Sequence, residues 1–226
     1  MNGTIVNVFA IIFGSIIGVS FKNIFSERIQ KTVMHGLSLT VVLIGVQMAL
    51  KANNILVIII SLVVGGVIGE LIRIEKYLNN IGISIKKKFE NKIDNQLFVQ
   101  GFVDASLIFC VGSMAIMGSI QDGLTNNPIL LYQKSLLDGI ASIAFAATYG
   151  TGVLFSALPV LLYQGTITIM AAYADKYMTG AMISETEAVG GLLIIAIGLN
   201  IMGVTKIKTG NMLPSLLIVI LLTIIL

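Results

Sequence analysis

Residues 55–64 read Ile-Leu-Val-Ile-Ile-Ile-Ser-Leu-Val-Val, and residues 213–226 read Leu-Pro-Ser-Leu-Leu-Ile-Val-Ile-Leu-Leu-Thr-Ile-Ile-Leu. Neither stretch holds a charge. They are typical of a 226-residue chain that is 56% apolar and only 11% charged, where an ordinary soluble domain carries roughly 25% charge. The mean hydropathy is +0.98. A soluble fold of this size has nowhere to hide so much apolar surface, since more than half of any globular surface already consists of apolar atoms. At roughly 20 apolar residues per crossing of a ~30 Å hydrocarbon layer, the length allows at most about eight helices. The fold class expected is therefore all-α, a polytopic transmembrane helical bundle of seven or eight spans with the lipid bilayer as its principal partner. A nucleic-acid binder, a disulfide scaffold and a two-domain soluble enzyme are excluded.

The scarce residue types narrow the chemistry further. One cysteine, Cys110, cannot form an intrachain disulfide. With His35 as the single histidine, the clustered ligands of structural zinc are missing. Met1–Phe21 has no basic leader and no A-x-A-like end, so it reads as a retained helix rather than a signal peptide.

Hydropathy and charge breaks place spans at 3–21, 35–50, 55–72, 97–120, 129–149, 152–174, 188–204 and 212–226. Spans five and six can also be read as one broken hairpin. With the N-terminus outside, eleven basic residues fall inside: Lys22, Arg28, Lys31, Arg73, Lys76, Lys86, Lys87, Lys88, Lys92, Lys206 and Lys208. Only Lys51, Lys134 and Lys176 fall on the outer side, beside Asp122, Asp175, Glu185 and Glu187. The positive-inside rule therefore sets the N-terminus outside, in the cytoplasmic (inner) membrane of a bacterium. Tyr77–Asp94 is amphipathic, with Leu78, Ile81, Ile85, Phe89 and Ile93 on one face and Lys86, Lys87, Lys88 and Lys92 on the other. It reads either as a helix in the headgroup plane or as a loop helix packed on the protein. Asn23–Met34, with Phe25, Ile29 and Val33, is a weaker version.

Two segments repeat. Leu39-Thr-Val-Val-Leu-Ile-Gly45-Val-Gln47-Met48 matches Leu192-Leu-Ile-Ile-Ala-Ile-Gly198-Leu-Asn200-Ile201 at an offset of 153. Asn54 and Asn211 open the next apolar runs, and Gly3-Thr-Ile and Gly165-Thr-Ile recur before them, as do Ser26-Glu27 and Ser184-Glu185. Opposed orientations make this an inverted repeat of spans 1–3 and 6–8. The chain then reads as one transmembrane domain, 1–226: a first repeat 1–74, a cytoplasmic amphipathic segment 75–96, two central spans 97–150 and a second repeat 151–226. Inverted repeats are a common plan of secondary transporters. Duplication without any consequence for transport is the alternative. Matching Gly165 to Gly3 would move the start of span six and bring Asp175 into the membrane.

In lipid, helices associate through close backbone approach and interhelical hydrogen bonds. Ala10, Gly14 and Gly18 form a small-residue stripe on span one, and Ser61, Gly65 and Gly69 one on span three. Span five adds Gly139, Ala141, Ser142, Ala144, Ala146 and Ala147. One such stripe suits a homodimer seam. Ser184-Glu-Thr-Glu187 reads as a capping box at the start of span seven, with Glu187 as its cap. Asn7, Gln47 and Asn200 read as interhelical hydrogen-bonding glue.

Asp104 in span four and Asp138 in span five are the deepest ionisable groups, and a carboxylate at helix centre costs about 2.5–3.5 kcal/mol on insertion scales. Counting along the helices puts both near the midplane, where they can line one cavity. Lys134 stands four residues before Asp138, the spacing of a helical ion pair. Around Asp104 lie Gln100, Ser106, Cys110 and Ser113. Cys110, Met114 and Met117 suit Cu(I), but methionine in an apolar helix is mostly packing, and no metal is assigned. Pro159, between Gly150-Thr-Gly152 and Tyr163-Gln164-Gly165, reads as a helix break at depth that frees backbone ligands, or as a tolerated kink.

The run Gly101-Phe-Val-Asp104-Ala-Ser-Leu-Ile-Phe-Cys110-Val-Gly-Ser-Met-Ala-Ile-Met-Gly118-Ser-Ile-Gln-Asp122-Gly-Leu resembles the bacterial integral membrane family known as Domain of Unknown Function 554, the YdfK-like proteins. So do Gly3-Thr-Ile-Val-Asn7, Lys134-Ser-Leu-Leu-Asp138-Gly, Phe155-Ser-Ala-Leu-Pro159-Val-Leu-Leu-Tyr-Gln164-Gly and Ala188-Val-Gly-Gly-Leu. The likeness spans essentially the whole chain. It implies a protein of the bacterial cytoplasmic membrane and brings no substrate or binding residue with it.

The function expected is a secondary transporter or channel for a small ion or metabolite. Asp104, Asp138, Gln100, Lys134, Ser106, Pro159 and Gln164 are the candidate binding residues, without catalytic residues, metal, cofactor or nucleic acid. The alternative is a non-transporting membrane scaffold or assembly factor. An enzyme is not expected, since no H-E-x-x-H or G-x-S-x-G motif is present. Transport requires Asp104 to face a solvated cavity, whereas a scaffold predicts it dry and hydrogen-bonded to Gln100 or a span-five hydroxyl.

Overall fold

The computed structural model describes residues 1–22, 27–89 and 95–225, with backbone alone at 22, 27, 29, 30, 86–89, 95 and 174. Among these residues every regular element is helical: α1 (Asn2–Lys22), α2 (Glu27–Ala49), α3 (Ile55–Ile72), α4 (Ile74–Phe89), α5 (Asn95–Cys110), α6 (Ser113–Thr125), α7 (Ile129–Tyr149), α8 (Gly152–Phe155), α9 (Ala157–Ile169), α10 (Ala171–Tyr177), α11 (Gly180–Ile201), a 3-10 turn (Thr209–Met212) and α12 (Ser215–Ile225). Among the described residues six stretches are long and apolar enough to cross a membrane: Asn2–Phe21, Lys31–Ala49, Ile55–Ile72, Ile129–Tyr149, Gly152–Ile169 and Gly180–Ile201. Helices α5 and α6 qualify jointly as a seventh, bent by 61° at their junction, and Thr209–Ile225 is apolar but shorter. The chain is thus a multi-pass helical membrane protein. The count is six or seven where seven or eight were expected, because span four is broken midway and the last apolar run falls short.

The helices sort into two compact units, Met1–Val33 with Ile81–Tyr177, and Met34–Asn80 with Met178–Leu226. In the first unit α1 runs parallel to α7. The small-residue stripe explains this pairing: a Cβ on Gly14 would meet the Gly139 carbonyl, and one on Gly18 the Ile143 carbonyl and Ala146. The two backbones touch because neither side chain intervenes. Phe98, Phe109, Phe145, Ile11 and Leu131 fill the dry space, and the Phe145 ring lies 6.3 Å from both Phe109 and Tyr149. Gly82 of α4 rests on Val99. The expected lysine face of this helix, with Phe89 and Ile93, lies outside the described residues, as do the Phe25 and Ile29 side chains and the Ser26-Glu27 match.

In the second unit the stripe Ser61, Gly65, Gly69 of α3 receives the antiparallel α12, with Gly65 facing Ser215 and Gly69 facing the Asn211 carbonyl. Val57, Ile58, Ala188, Val189 and Val219 form its apolar core. Between α2 and α11, Gly45 faces the Gly191 carbonyl and Ile195, and Gly198 faces the Ser38 carbonyl and Val42. Lys208 donates to Glu70 at 2.7 Å, and this hydrogen bond raises the ammonium pKa above its usual value. Asn54 caps α3, accepting the Leu56 N–H at 3.1 Å. Asn54→Ala is expected to lower stability by about 1 kcal/mol, read by denaturation in detergent.

Three expectations at the helix ends are corrected. Helix α11 begins at Gly180, capped by Thr179, so Ser184–Glu187 is inside the helix rather than at its start. Glu187 instead pairs with Lys51 at 2.6 Å, and Glu185 accepts the backbone N–H groups of Asn53 and Asn54 at 3.0 and 2.8 Å. Asp122, expected in an outer loop, is buried in α6 and accepts the Gly3 N–H at 2.9 Å. Asn200 binds its own following loop, through Thr205 and Ile207, rather than another helix.

Candidate functional site

The first unit buries a charged pair. Lys134 donates to Asp138 Oδ2 at 2.6 Å, one turn apart on α7 as the spacing required, with side chains 7% and 9% exposed. Asn7 of α1 donates from Nδ2 to the same carboxylate oxygen at 2.9 Å, and to Gln164 Oε1 of α9 at 3.4 Å. Both amides are fully buried. Asp138 therefore holds an ammonium from its own helix and an amide donor from α1, and α9 joins through the Asn7 amide.

The amide pair leaves two atoms over. Among the described residues neither Asn7 Oδ1 nor Gln164 Nε2 has a hydrogen-bond partner, and Ser15 and Ser142, on the touching helices α1 and α7, carry further buried hydroxyls of this kind. An unpaired buried donor or acceptor costs about 1–3 kcal/mol. Such atoms call for an occupant, a water or a ligand. Towards the start of α1 the polar file continues through Thr4 and Thr168, whose hydroxyls lie 3.4 Å apart.

The helix break beside this cluster is not the expected one. Span six is interrupted at Ser156, between α8 and α9 and three residues before Pro159, yet Gly152–Ile169 remains one span, so Pro159 is the tolerated kink, and Gln164 lies within α9. The discontinuity is at Val111–Gly112, between α5 and α6, where Gly112 has φ 135°. That conformation favours glycine. Helix α6, which opens at this break, packs on α7, the helix of the buried pair: a Cβ on Gly118 would meet Leu131. The N-terminus of α6 has no side-chain cap.

Asp104 has different partners. It is 7% exposed and accepts the Tyr149 hydroxyl, from α7, at 3.5 Å. Ser106 donates back to the Phe102 carbonyl of its own helix at 2.5 Å. Gln100 is half-buried one turn before Asp104. The structure joins Lys134, Asp138 and Gln164, adds Asn7, and sets Asp104 against a span-five hydroxyl.

The family model for "Protein of unknown function (DUF554)" matches residues 2–224. The chain belongs to this family. The "Uncharacterized membrane protein YdfK" of Bacillus subtilis (strain 168) is 35% identical over 222 residues, covering 96% of this chain and 93% of that protein. The "Uncharacterized protein YqgA" of Escherichia coli (strain K12) is 30% identical over 219 residues, with the same coverage. No solved structure matches.

For this family member, the reading of Asn7 as interhelical hydrogen-bonding glue holds, from α1 to α7 and α9, but Asp138 was not named as its partner. A signal was available: Asn7 lies on the α1 face that carries Ala10, Gly14 and Gly18, the stripe that meets α7. Gly112 was missed too, since one glycine among 23 carries no mark of its φ.

Proposed function

We propose that the protein is a secondary transporter or channel for a small ion or metabolite, and that Lys134, Asp138, Asn7 and Gln164 form its binding site beside the α5–α6 break. One observation carries this reading: a buried ion pair adjoins two amides that keep an unpartnered acceptor and donor. Each unmet atom weakens the fold unless an occupant satisfies it. Discontinuous helices at depth are where transporters bind their substrates.

An inverted repeat supports the same reading. Under the 153-residue offset Gly45 maps onto Gly198, and its contacts Gly191 and Ile195 map onto Ser38 and Val42. Those are the groups Gly198 faces. The eleven-to-three bias of basic residues supports a bacterial cytoplasmic-membrane location with the N-terminus outside.

One observation favours a membrane scaffold: Asp104 is dry and engaged by Tyr149, as that alternative requires. It bears on Asp104 alone. The test heats purified protein with sodium, potassium, chloride and small carboxylates across pH and reads the surviving monodisperse fraction by size exclusion. A ligand at 100 times its Kd adds about 2.7 kcal/mol to apparent stability. Stabilisation kept in Asp104→Asn and lost in Asp138→Asn is expected. No ligand response in the wild type moves the assignment to the scaffold.

A further inference from the structure

Resting on the transport reading and its site, we propose that the ligand is a small monoanion, carried together with one proton that neutralises Asp138.

The charge count comes first. Lys134 and Asp138 together are neutral, and a buried site of low dielectric resists any change in net charge. A metal cation would sit beside an ammonium only 2.6 Å from the carboxylate it needs. An anion alone would leave the site negative. An anion arriving with a proton keeps it neutral, with the proton on Asp138 and the anion taking over Lys134.

The donors agree with this. An ammonium has three N–H groups and no acceptor, and Lys134 gives one of them to Asp138. Gln164 Nε2, buried and unpartnered, lies on the amide whose oxygen meets Asn7 beside that carboxylate. The uncapped N-terminus of the 13-residue α6 opens at the α5–α6 break, on a helix that packs against α7, and helix N-termini favour anions. Asn7 Oδ1 is the unmet acceptor and suits the added proton or a water. The charged group bonded to Asp138 is Lys134 on its own helix; α1 and α9 present the neutral Asn7 and Gln164, while α5 and α6, which also pack on α7, carry Asp104, Cys110 and Asp122.

The experiment titrates the purified protein with sodium formate, acetate, nitrate and chloride at constant ionic strength, balanced with sodium gluconate. Thermal stability is read from pH 5.5 to 7.5. The expected result is saturable stabilisation by at least one anion whose apparent Kd weakens about tenfold per pH unit, as uptake of one proton demands. Gln164→Met removes the donor, keeps the shape and is expected to weaken binding about tenfold. Lys134→Met/Asp138→Leu, which leaves no buried lone charge, is expected to abolish it. Anion binding without pH dependence overturns the accompanying proton. A response to sodium or potassium with none to any anion overturns the monoanion and leaves the transport reading standing. Silence to every salt overturns both.

Discussion

Lys134→Met is expected to destabilise the protein by about 3–5 kcal/mol, because it strands the Asp138 carboxylate in a buried position. Asp138→Leu is expected to do the same to the ammonium. The double variant is expected to recover most of the loss. A buried pair replaced by apolar groups of similar volume is often neutral in stability, whereas breaking it from one side is not. Unfolding in detergent for the four proteins closes a double-mutant cycle, and the coupling is expected to exceed 2 kcal/mol, towards the upper end of values for contacting residues. If the singles add, the 2.6 Å contact carries no energy, and the site proposed on it falls with it. Recovery in the double variant has a second meaning: a pair that can be exchanged for methionine and leucine is not held for stability, which leaves function as the reason for its presence.

How much of this was legible beforehand follows from the range of each interaction. The Lys134–Asp138 pair was readable because both residues sit on one helix, where a four-residue step fixes their proximity. The placement of Asp122, Glu185 and Glu187 was not. Each serves the end of another helix, Asp122 at Gly3, Glu185 at Asn53 and Asn54, and Glu187 at Lys51. In composition these acids look like loop residues, and only the tertiary arrangement shows which N–H groups they satisfy. The helix break was misplaced for a similar reason. Proline marks the absence of a donor wherever it stands, so Pro159 drew the reading, although the interruption it accompanies, at Ser156, leaves Gly152–Ile169 a single span. The real break at Val111–Gly112 depends on a backbone conformation that glycine permits without announcing it. Hydropathy located six of the eight expected crossings as whole helices, because the bilayer imposes one length on every span, and failed at the broken fourth and the short last one.

The small-residue stripes were also legible, and they support the second large effect. Gly14→Val is expected to lower stability by about 3 kcal/mol and to separate α1 from α7. The new Cβ would meet the Gly139 carbonyl and the Ser142 side chain. Overpacking against a flexible side chain can relax, but a backbone carbonyl inside a helix has nowhere to go, so the helices themselves must part. That movement reaches the site. Asn7 lies on α1 and Asp138 on α7, and their 2.9 Å hydrogen bond depends on the close approach that the glycines permit. Gly66→Ala is the control: nothing lies within 4 Å of its added Cβ, and alanine is the better helix former, so its stability is expected within about 1 kcal/mol of wild type. Both variants are read by denaturation in detergent and by the anion titration. No loss in Gly14→Val would mean that α1 and α7 do not touch along this stripe. Lost anion response in Gly14→Val, with Gly66→Ala responding as wild type, would tie the helix contact to the binding site rather than to folding alone.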